Sequence, residues 1–272
     1  MKKNILLLGG SGYIGRAIID RFKEYNFINL SKNRSNDKAS NNLLLDLRSG
    51  LEGLKFDAPI EMVINCTEIR ACQNGKAEET CYSDAVRGIV EFAKRNGIKK
   101  MIHFSSYADI RNLADERYTS GKLFADRIIE KSGLDYMILS PTVIFGRGSL
   151  FEELLSELSS LPFIAKSALE KRFAPVYIDD VMNNIAYAME HPEVWNAHYI
   201  IKGPERLNLK EALNRYNSRI PRLVALPEKV SLAQLKLRFE APLYDVYTRY
   251  LCLGDIDLET PGKTLLPADR FY

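Results

Sequence analysis

The chain has 272 residues, 46% of them hydrophobic and 27% charged, which is the make-up of a globular protein with one sizeable core or a core plus a small lobe. Its net charge of +3 comes from scattered cations with only short clusters at Lys99-Lys100 and Lys171-Arg172, and no apolar run approaches a membrane span, so neither nucleic acid nor membrane is expected as a partner. The Met-Lys-Lys start mimics a secretory leader but its apolar run breaks too early, at Gly9-Gly10. The four cysteines (Cys66, Cys72, Cys81, Cys252) form no C-x-x-C pair and meet no histidine cluster, which argues against zinc and for reduced thiols in the cytoplasm.

In chain order, Ile5 to Leu8 is a short apolar run that reads as a buried strand. Gly9, Gly12 and Gly15 follow at three-residue spacing, and Ala17-Ile18-Ile19 opens an amphipathic helix. Strand, glycine turn and helix is the context of a dinucleotide fingerprint. Gly9 permits the tight turn, Gly12 lets backbone approach a pyrophosphate, and Gly15 lets the helix lie close on the sheet. Phosphates then meet the helix N-terminus at Ser11, Gly12, Tyr13 and Ile14.

Phe27 to Leu30 is the second strand, and its end selects the cofactor. An acid there would accept the adenosine ribose hydroxyls, whereas cations would meet a 2′-phosphate. The chain offers Ser31, Lys32 and Arg34, with no carboxylate before Asp37, which favours NADP over NAD by charge complementarity. A solvated polar turn is the bland reading of the same residues. Asn42 to Leu45 is the third strand; Asp46, followed by Leu47, would meet the adenine edge or cap the segment Leu47 to Leu54.

Met62 to Asn65 is the fourth strand, ending in Asn65-Cys66-Thr67. Glu78 to Asn96 carries a helical apolar period that Gly97 terminates. Met101 to Phe104 is the fifth strand, closed by Ser105-Ser106; Arg117 to Lys131 is a helix; and Tyr136 to Leu139 is the sixth strand, running into Pro141. Alternation of this kind means an α/β fold, a doubly wound parallel sheet with helices on both faces. Ligands bind beyond the carboxyl ends of its strands, where Asn65, Ser106 and Pro141 sit.

After Gly146 the pattern loosens. Helices are expected at Leu150 to Leu161, Asp179 to Met189, Leu207 to Tyr216, Glu228 to Arg238 and Asp245 to Leu253, with short strands at Ala174 to Ile178 and His198 to Ile201. The expected division is a dinucleotide-binding domain over 1–145 and a smaller substrate lobe over 146–272. The 174–190 segment and the 198–202 strand would pack back onto the first.

Tyr118 and Lys122 are four residues apart on a predicted helix, one turn apart on one face. A phenol titrating near ~10 is a poor acid-base group, and an adjacent ammonium lowers that value. Tyr118 could then move a proton to or from a carbonyl or alcohol oxygen, Ser106 could hydrogen-bond the same oxygen, and Lys122 could also hold a ribose. Such pairs are common on helix surfaces; the order of glycine turn, strand-end serine and Tyr-x-x-x-Lys is what gives this one weight.

With these motifs the chain resembles the short-chain dehydrogenase/reductase superfamily, and within it the extended or atypical NAD-dependent epimerase/dehydratase branch. The motifs that carry the resemblance are Gly9 to Gly15, Asp46, Asn65, Ser105-Ser106 and Tyr118-Thr-Ser-Gly-Lys122. Leu139 to Gly146, Phe173 to Val181 and Tyr199 to Pro204 carry it further, to about Tyr216. The resemblance implies a Rossmann-type fold, hydride transfer at a nicotinamide with Tyr118 moving the proton, and cofactor contacts that extend to Ser105, Pro141 and Val143. It implies a small-molecule substrate such as a nucleotide-diphosphate sugar, with Arg147, Lys171, Arg172 and Arg206 as candidate diphosphate partners, and a homodimer as the assembly to test.

The chain departs from the family pattern in four places. Ser140 stands where arginine is usual, Asp109-Ile-Arg replaces a Val-Tyr-Gly, Tyr82 replaces an asparagine, and the interval from Ser106 to Tyr118 is short. The expected function is an NADP-dependent oxidoreductase of a carbonyl or secondary alcohol. The alternatives are a nucleotide-sugar epimerase with retained NAD, or a non-catalytic NADP-binding redox sensor or accessory subunit.

Overall fold

The structure, a computed structural model, describes residues 2–32, 41–44, 47, 50–51, 53–68, 78–106, 116–161, 163–165, 172–216 and 222–224. The described residues fall into two compact units. One lies within Met1–Ser140 and Met182–Ile200, the other within Pro141–Val181 and Ile201–Tyr272.

The first unit is built on a seven-stranded sheet in the order β11-β6-β5-β4-β1-β2-β3. Its strands are β1 (Asn4–Leu8), β2 (Asn26–Ser31), β3 (Asn41–Leu44), β4 (Ile60–Asn65), β5 (Lys100–Phe104), β6 (Asp135–Pro141) and β11 (Ala197–Ile201). β3, β2, β1, β4, β5 and β6 run parallel. Ile5, Leu6, Leu7 and Leu8 are all fully buried, the signature of a strand covered on both faces. The chain leaves β1 toward β2 and β3 on one side and crosses to β4, β5 and β6 on the other. The end of β1 is therefore the topological switch point, where a crevice opens.

Helix α1 (Tyr13–Arg21) follows β1, α2 (Glu78–Arg95) precedes β5 and α3 (Glu116–Glu130) precedes β6. α2 and α3 cover one core: Val86, Ile89 and Phe92 of α2 and Ala125 and Ile129 of α3 pack with Leu6, Leu8, Val63 and Ile138 of the sheet. Gly97 ends α2 at φ +69, with Gly97 N–H bonded to the Lys94 carbonyl (3.2 Å) and Ile98 N–H to the Ala93 carbonyl (2.9 Å). This paired bonding is the Schellman arrangement, with Ile98 buried as its apolar lock.

The second unit has short strand pairs. β7 (Ile144–Phe145) lies parallel to β10 (Val176–Tyr177), β9 (Arg172–Phe173) antiparallel to β12 (Leu207–Asn208), and β8 (Phe163–Ala165) parallel to β13 (Arg222–Val224). Helix α4 (Leu150–Ser160) is capped by Ser149, whose hydroxyl accepts from Glu152 N–H at 3.0 Å. Phe151 packs edge-on against Phe145 and Phe173. Helix α5 (Ile178–Glu190) starts in this unit and ends in the first.

Two expectations are corrected here. The strand expected over Ala174 to Ile178 shrinks to β10, because Ile178 already begins α5. The helix expected from Leu207 begins at Leu209 as α6 (Leu209–Tyr216), because Leu207 and Asn208 pair with β9. Asn208 is its cap: Glu211 N–H donates to Asn208 Oδ1 (2.8 Å) and Asn208 N–H to Glu211 Oε2 (2.9 Å), a reciprocal capping box. The predicted helices 228–238 and 245–253 lie outside the described residues.

Candidate functional site

The glycine turn hangs between two strands. Gly9 N–H bonds the Leu30 carbonyl of β2 and Cys66 N–H bonds the Leu8 carbonyl, both at 2.9 Å, so the turn lies over the switch point. Gly9 has φ +87, and a side chain there would press on the Cys66 backbone at 3.1 Å. At Gly15 a Cβ would lie 2.4 Å from the Gly9 carbonyl oxygen and 2.5 Å from the Gly10 Cα; this is the close helix-to-turn contact.

Gly12 differs from both. Its φ is −76, it is exposed, and a Cβ would meet only the Gly9 carbonyl, at 3.2 Å. As N-cap of α1 it provides no side-chain cap, and the first turn carries no acid. The positive end of α1 therefore faces open space beside Gly12, and the turn fits a dinucleotide pyrophosphate. Ser11, exposed enough to be reached, takes the Arg16 guanidinium on its carbonyl; Tyr13 and Ile14 are half-buried.

Asn29 of β2 is a residue that sequence reasoning missed. It is fully buried and its Oδ1 accepts Gly10 N–H at 2.9 Å, pinning the turn to the sheet. A Cβ on Gly10 would lie 2.3 Å from that oxygen, so the second glycine of the pair is there for Asn29. At the end of β2, Ser31 is buried and Lys32 exposed. Arg34 and Asp46 lie outside the described residues, and Leu47 is half-buried.

The ends of β4 and β5 hold a buried polar group. Asn65 is fully buried; its Oδ1 accepts Thr67 N–H (3.1 Å) and the Thr67 hydroxyl (2.6 Å), while its Nδ2 lies 3.0 Å from His103 Nδ1. Because a peptide N–H can only donate, the amide oxygen is fixed toward Thr67 and the amide nitrogen toward the ring. His103 Nδ1 must then accept, and the ring proton sits on Nε2. That nitrogen faces Asp126 Oδ1 at 3.6 Å and the Tyr82 hydroxyl at 3.5 Å.

Burial, then the Lys122 ammonium and His198, hold His103 well below its ordinary value, at about 3. Asp126, 4% exposed, accepts the Ser105 hydroxyl at 2.8 Å. Lys122, one turn earlier on α3, is 6% exposed with Nζ 5.5 Å from the Tyr82 ring centre.

The remaining expected residues fall as follows. Ser105 turns its hydroxyl into this buried group, whereas Ser106 is half-exposed. Tyr118 lies on α3 one turn before Lys122, with its side chain outside the described set. Cys66 and Thr67 are half-exposed beside the glycine turn, and burial pushes the Cys66 thiol up, so it stays protonated at neutral pH. Pro141 is buried and Val143 half-buried at the start of the second unit. Of the diphosphate candidates, Arg147 and Arg206 are exposed, Arg172 lies 3.9 Å from Glu211, and Lys171 is outside the described residues.

On the same sheet the Ser140 hydroxyl bonds His198 Nε2 at 2.7 Å, and burial lowers that ring to about 4. Besides Asn29, sequence reasoning missed His103, Asp126 and His198. The available signal was a polar residue inside an apolar strand, as in Phe27-Ile-Asn-Leu30 and Met101-Ile-His-Phe104, since such residues are retained only with partners. Among the described residues no group of three or more His, Cys, Asp or Glu could hold a metal ion, and no helix is long and apolar enough to cross a membrane.

Comparison with known proteins agrees with this geometry. A curated relative in Escherichia coli O157:H7, an N-acetyl-alpha-D-glucosaminyl-diphospho-ditrans,octacis-undecaprenol 4-epimerase, is 24% identical over 258 residues, 81% of this chain and 75% of its own length. Among solved structures, a nucleoside-diphosphate-sugar epimerase from Staphylococcus aureus superposes with TM-score 0.67 at 18% identity, covering 94% of this chain and 92% of its own. A dTDP-glucose 4,6-dehydratase from Bacillus anthracis, solved with NAD, gives TM-score 0.64 at 14% identity over 92% and 96%. A UDP-glucose 4-epimerase from Thermotoga maritima, solved with UDP-glucose, gives 0.63 at 16% over 84% and 87%. At such identities the structures speak for the fold alone. The model of the NAD dependent epimerase/dehydratase family matches residues 5–201, spanning the glycine turn, the buried polar group and α3, and the chain belongs to that family.

Proposed function

We propose that the chain is an NADP-dependent oxidoreductase that interconverts a carbonyl and a secondary alcohol, with a nucleotide-linked sugar as its substrate class. The observation that carries this reading is the burial of Lys122. An ammonium only 6% exposed, on the helix turn after Tyr118 and 5.5 Å from the centre of the Tyr82 ring, is the kind of buried titratable group that marks a functional site.

The bound dinucleotide supplies the hydride. Tyr118 donates its phenolic proton to the carbonyl oxygen during reduction and takes it back in the reverse direction. Lys122 favours the phenolate electrostatically and so brings the phenol toward working pH. Ser106 hydrogen-bonds the reacting oxygen. The N-terminus of α1 at Gly12 holds the pyrophosphate, and Lys32, with Arg34 beyond it, meets the 2′-phosphate.

Tyr118→Phe should lower turnover by roughly 10²–10⁴-fold, the scale of general acid–base catalysis, and leave NADPH affinity unchanged. Full turnover in a folded Tyr118→Phe protein would overturn the assignment. A second reading, a 4-epimerase that retains NAD, is favoured by the name of the curated relative. The discriminating measurement is cofactor consumption. Net loss of NADPH absorbance with 4-keto sugar nucleotides supports reduction, whereas substrate turnover without cofactor loss, in protein purified with NAD bound, supports epimerisation.

A further inference from the structure

We propose that Asn65, His103 and Asp126 form a buried polar group that positions the strand-end serines against the Tyr118–Lys122 helix, with Asn65 locking His103 as its Nε2–H tautomer. The proposal rests on the functional reading above for what is being positioned, but its geometry stands apart from that reading. Donation starts at Thr67, whose peptide N–H and hydroxyl both give to Asn65 Oδ1. It passes from Asn65 Nδ2 to His103 Nδ1 at 3.0 Å. Beyond the ring, His103 Nε2 lies 3.5 Å from the Tyr82 hydroxyl and 3.6 Å from Asp126 Oδ1, a charge contact too long for a hydrogen bond, and Asp126 Oδ2 receives the Ser105 hydroxyl at 2.8 Å. The steps from Thr67 to Asn65 and from Asn65 to His103 have one allowed polarity, because the first donor is a peptide N–H and the amide oxygen it meets can only accept.

The polar group joins four elements. Thr67 abuts the glycine turn, where a Gly9 side chain would meet its methyl at 3.2 Å. Asn65 closes β4, His103 and Ser105 lie at the end of β5, and Asp126 lies on α3 one turn beyond Lys122. The register sets Asn65 beside His103 on adjacent parallel strands, so both side chains leave the same face. Asp126 thereby ties the helix that carries Tyr118 and Lys122 to the serine next to Ser106. Asn65, His103 and Asp126 are positioning residues: their contacts run to Ser105 and Thr67. The charged and titratable groups that face the ring are Asp126 and Lys122 from α3, Tyr82 from α2 and His198 from β11. Burial and the nearby ammonium keep the ring neutral, which acceptance at Nδ1 from Asn65 requires.

Replacing Asn65 by aspartate tests the polarity with almost no change of shape. A carboxylate still accepts from Thr67, but its second oxygen would force a proton onto His103 Nδ1. With 15N-labelled protein, and the His103 signals assigned by their loss in His103→Gln, wild type should show Nε2 protonated and Nδ1 bare from pH 8 to 5. Asn65→Asp should show Nδ1 protonated at pH 7. In steady state, Asn65→Asp and Asp126→Asn should each lower kcat by about 10²-fold, the cost of misplacing reacting groups by ~1 Å, and Asp126→Asn should keep the cofactor Kd within about twofold of wild type. Should those variants fail to fold, Ser105→Ala is the milder cut, removing only the hydroxyl that bonds Asp126, and should lower kcat.

A wild-type ring protonated on Nδ1 would overturn the proposal, as would undiminished kcat in folded Asp126→Asn or Ser105→Ala. A wild-type protein that binds neither NAD nor NADP would instead refute the functional reading, with the tautomer still decided by the same spectra.

Discussion

Gly12 and Gly15 sit three residues apart in one motif and should fail in opposite ways when filled. A Cβ at Gly15 collides with backbone of the turn at 2.4 and 2.5 Å, so Gly15→Ala strains the fold itself, by roughly 1–3 kcal/mol as other overpacking does. A side chain at Gly12 asks only a small shift of one carbonyl at 3.2 Å and points to the open side, where a pyrophosphate would lie. Gly12→Val should therefore melt near wild type and lose dinucleotide binding, while Gly15→Ala should melt earlier. Calorimetry and cofactor titration on the same samples check both, and unchanged NADPH affinity in Gly12→Val would remove the fingerprint reading. The glycine spacing was legible in the sequence because each glycine answers a local backbone demand. Asn29 was not, because its partner Gly10 is 19 residues away and only the pairing of β1 with β2 brings them together.

At the scale of elements, the helix ends are where local sequence and structure agree best. Gly97 was read as the stop of α2 and holds φ +69 there, with nothing within 4 Å of an added Cβ. Gly97→Ala thus isolates the backbone cost of a left-handed residue. It should destabilise the protein by about 1 kcal/mol without altering side-chain packing, seen as a lower urea midpoint at constant slope. A larger loss would mean that the Schellman bonds of Gly97 and Ile98 also break. The elements misjudged from sequence were those whose partners are distant. Leu207 and Asn208 continue a helical pattern but pair with Arg172 and Phe173, and the two-residue strands β7, β9 and β10 have no periodicity to read. Tertiary pairing overrides propensity in such short pieces.

For the molecule as a whole, the buried His103 and the half-buried His198 set how folding responds to acid. His103 titrates at about 3 and His198 at about 4, each lowered chiefly by burial from an ordinary value near 6.5. Protons therefore bind the unfolded chain first as pH falls, because its rings accept them near 6.5 while the folded rings refuse them until about 3 to 4. The stabilisation is complete above pH 6.5 and is lost progressively as pH drops from there toward 4, the sign that linkage requires when the folded state holds fewer protons. At pH 5.5 each ring should cost about 1.4 kcal/mol relative to pH 7.5, and the pair about 3 kcal/mol. Most carboxylates are still ionised at that pH, so the histidine contribution is separable. Urea unfolding between pH 7.5 and 5.5 measures it. His198→Gln, which can keep a hydrogen bond to Ser140, should remove about half of the slope. A pH-independent midpoint in the wild type would show that both rings accept protons in the folded state, against the burial that surrounds them and the bond from Asn65 to His103.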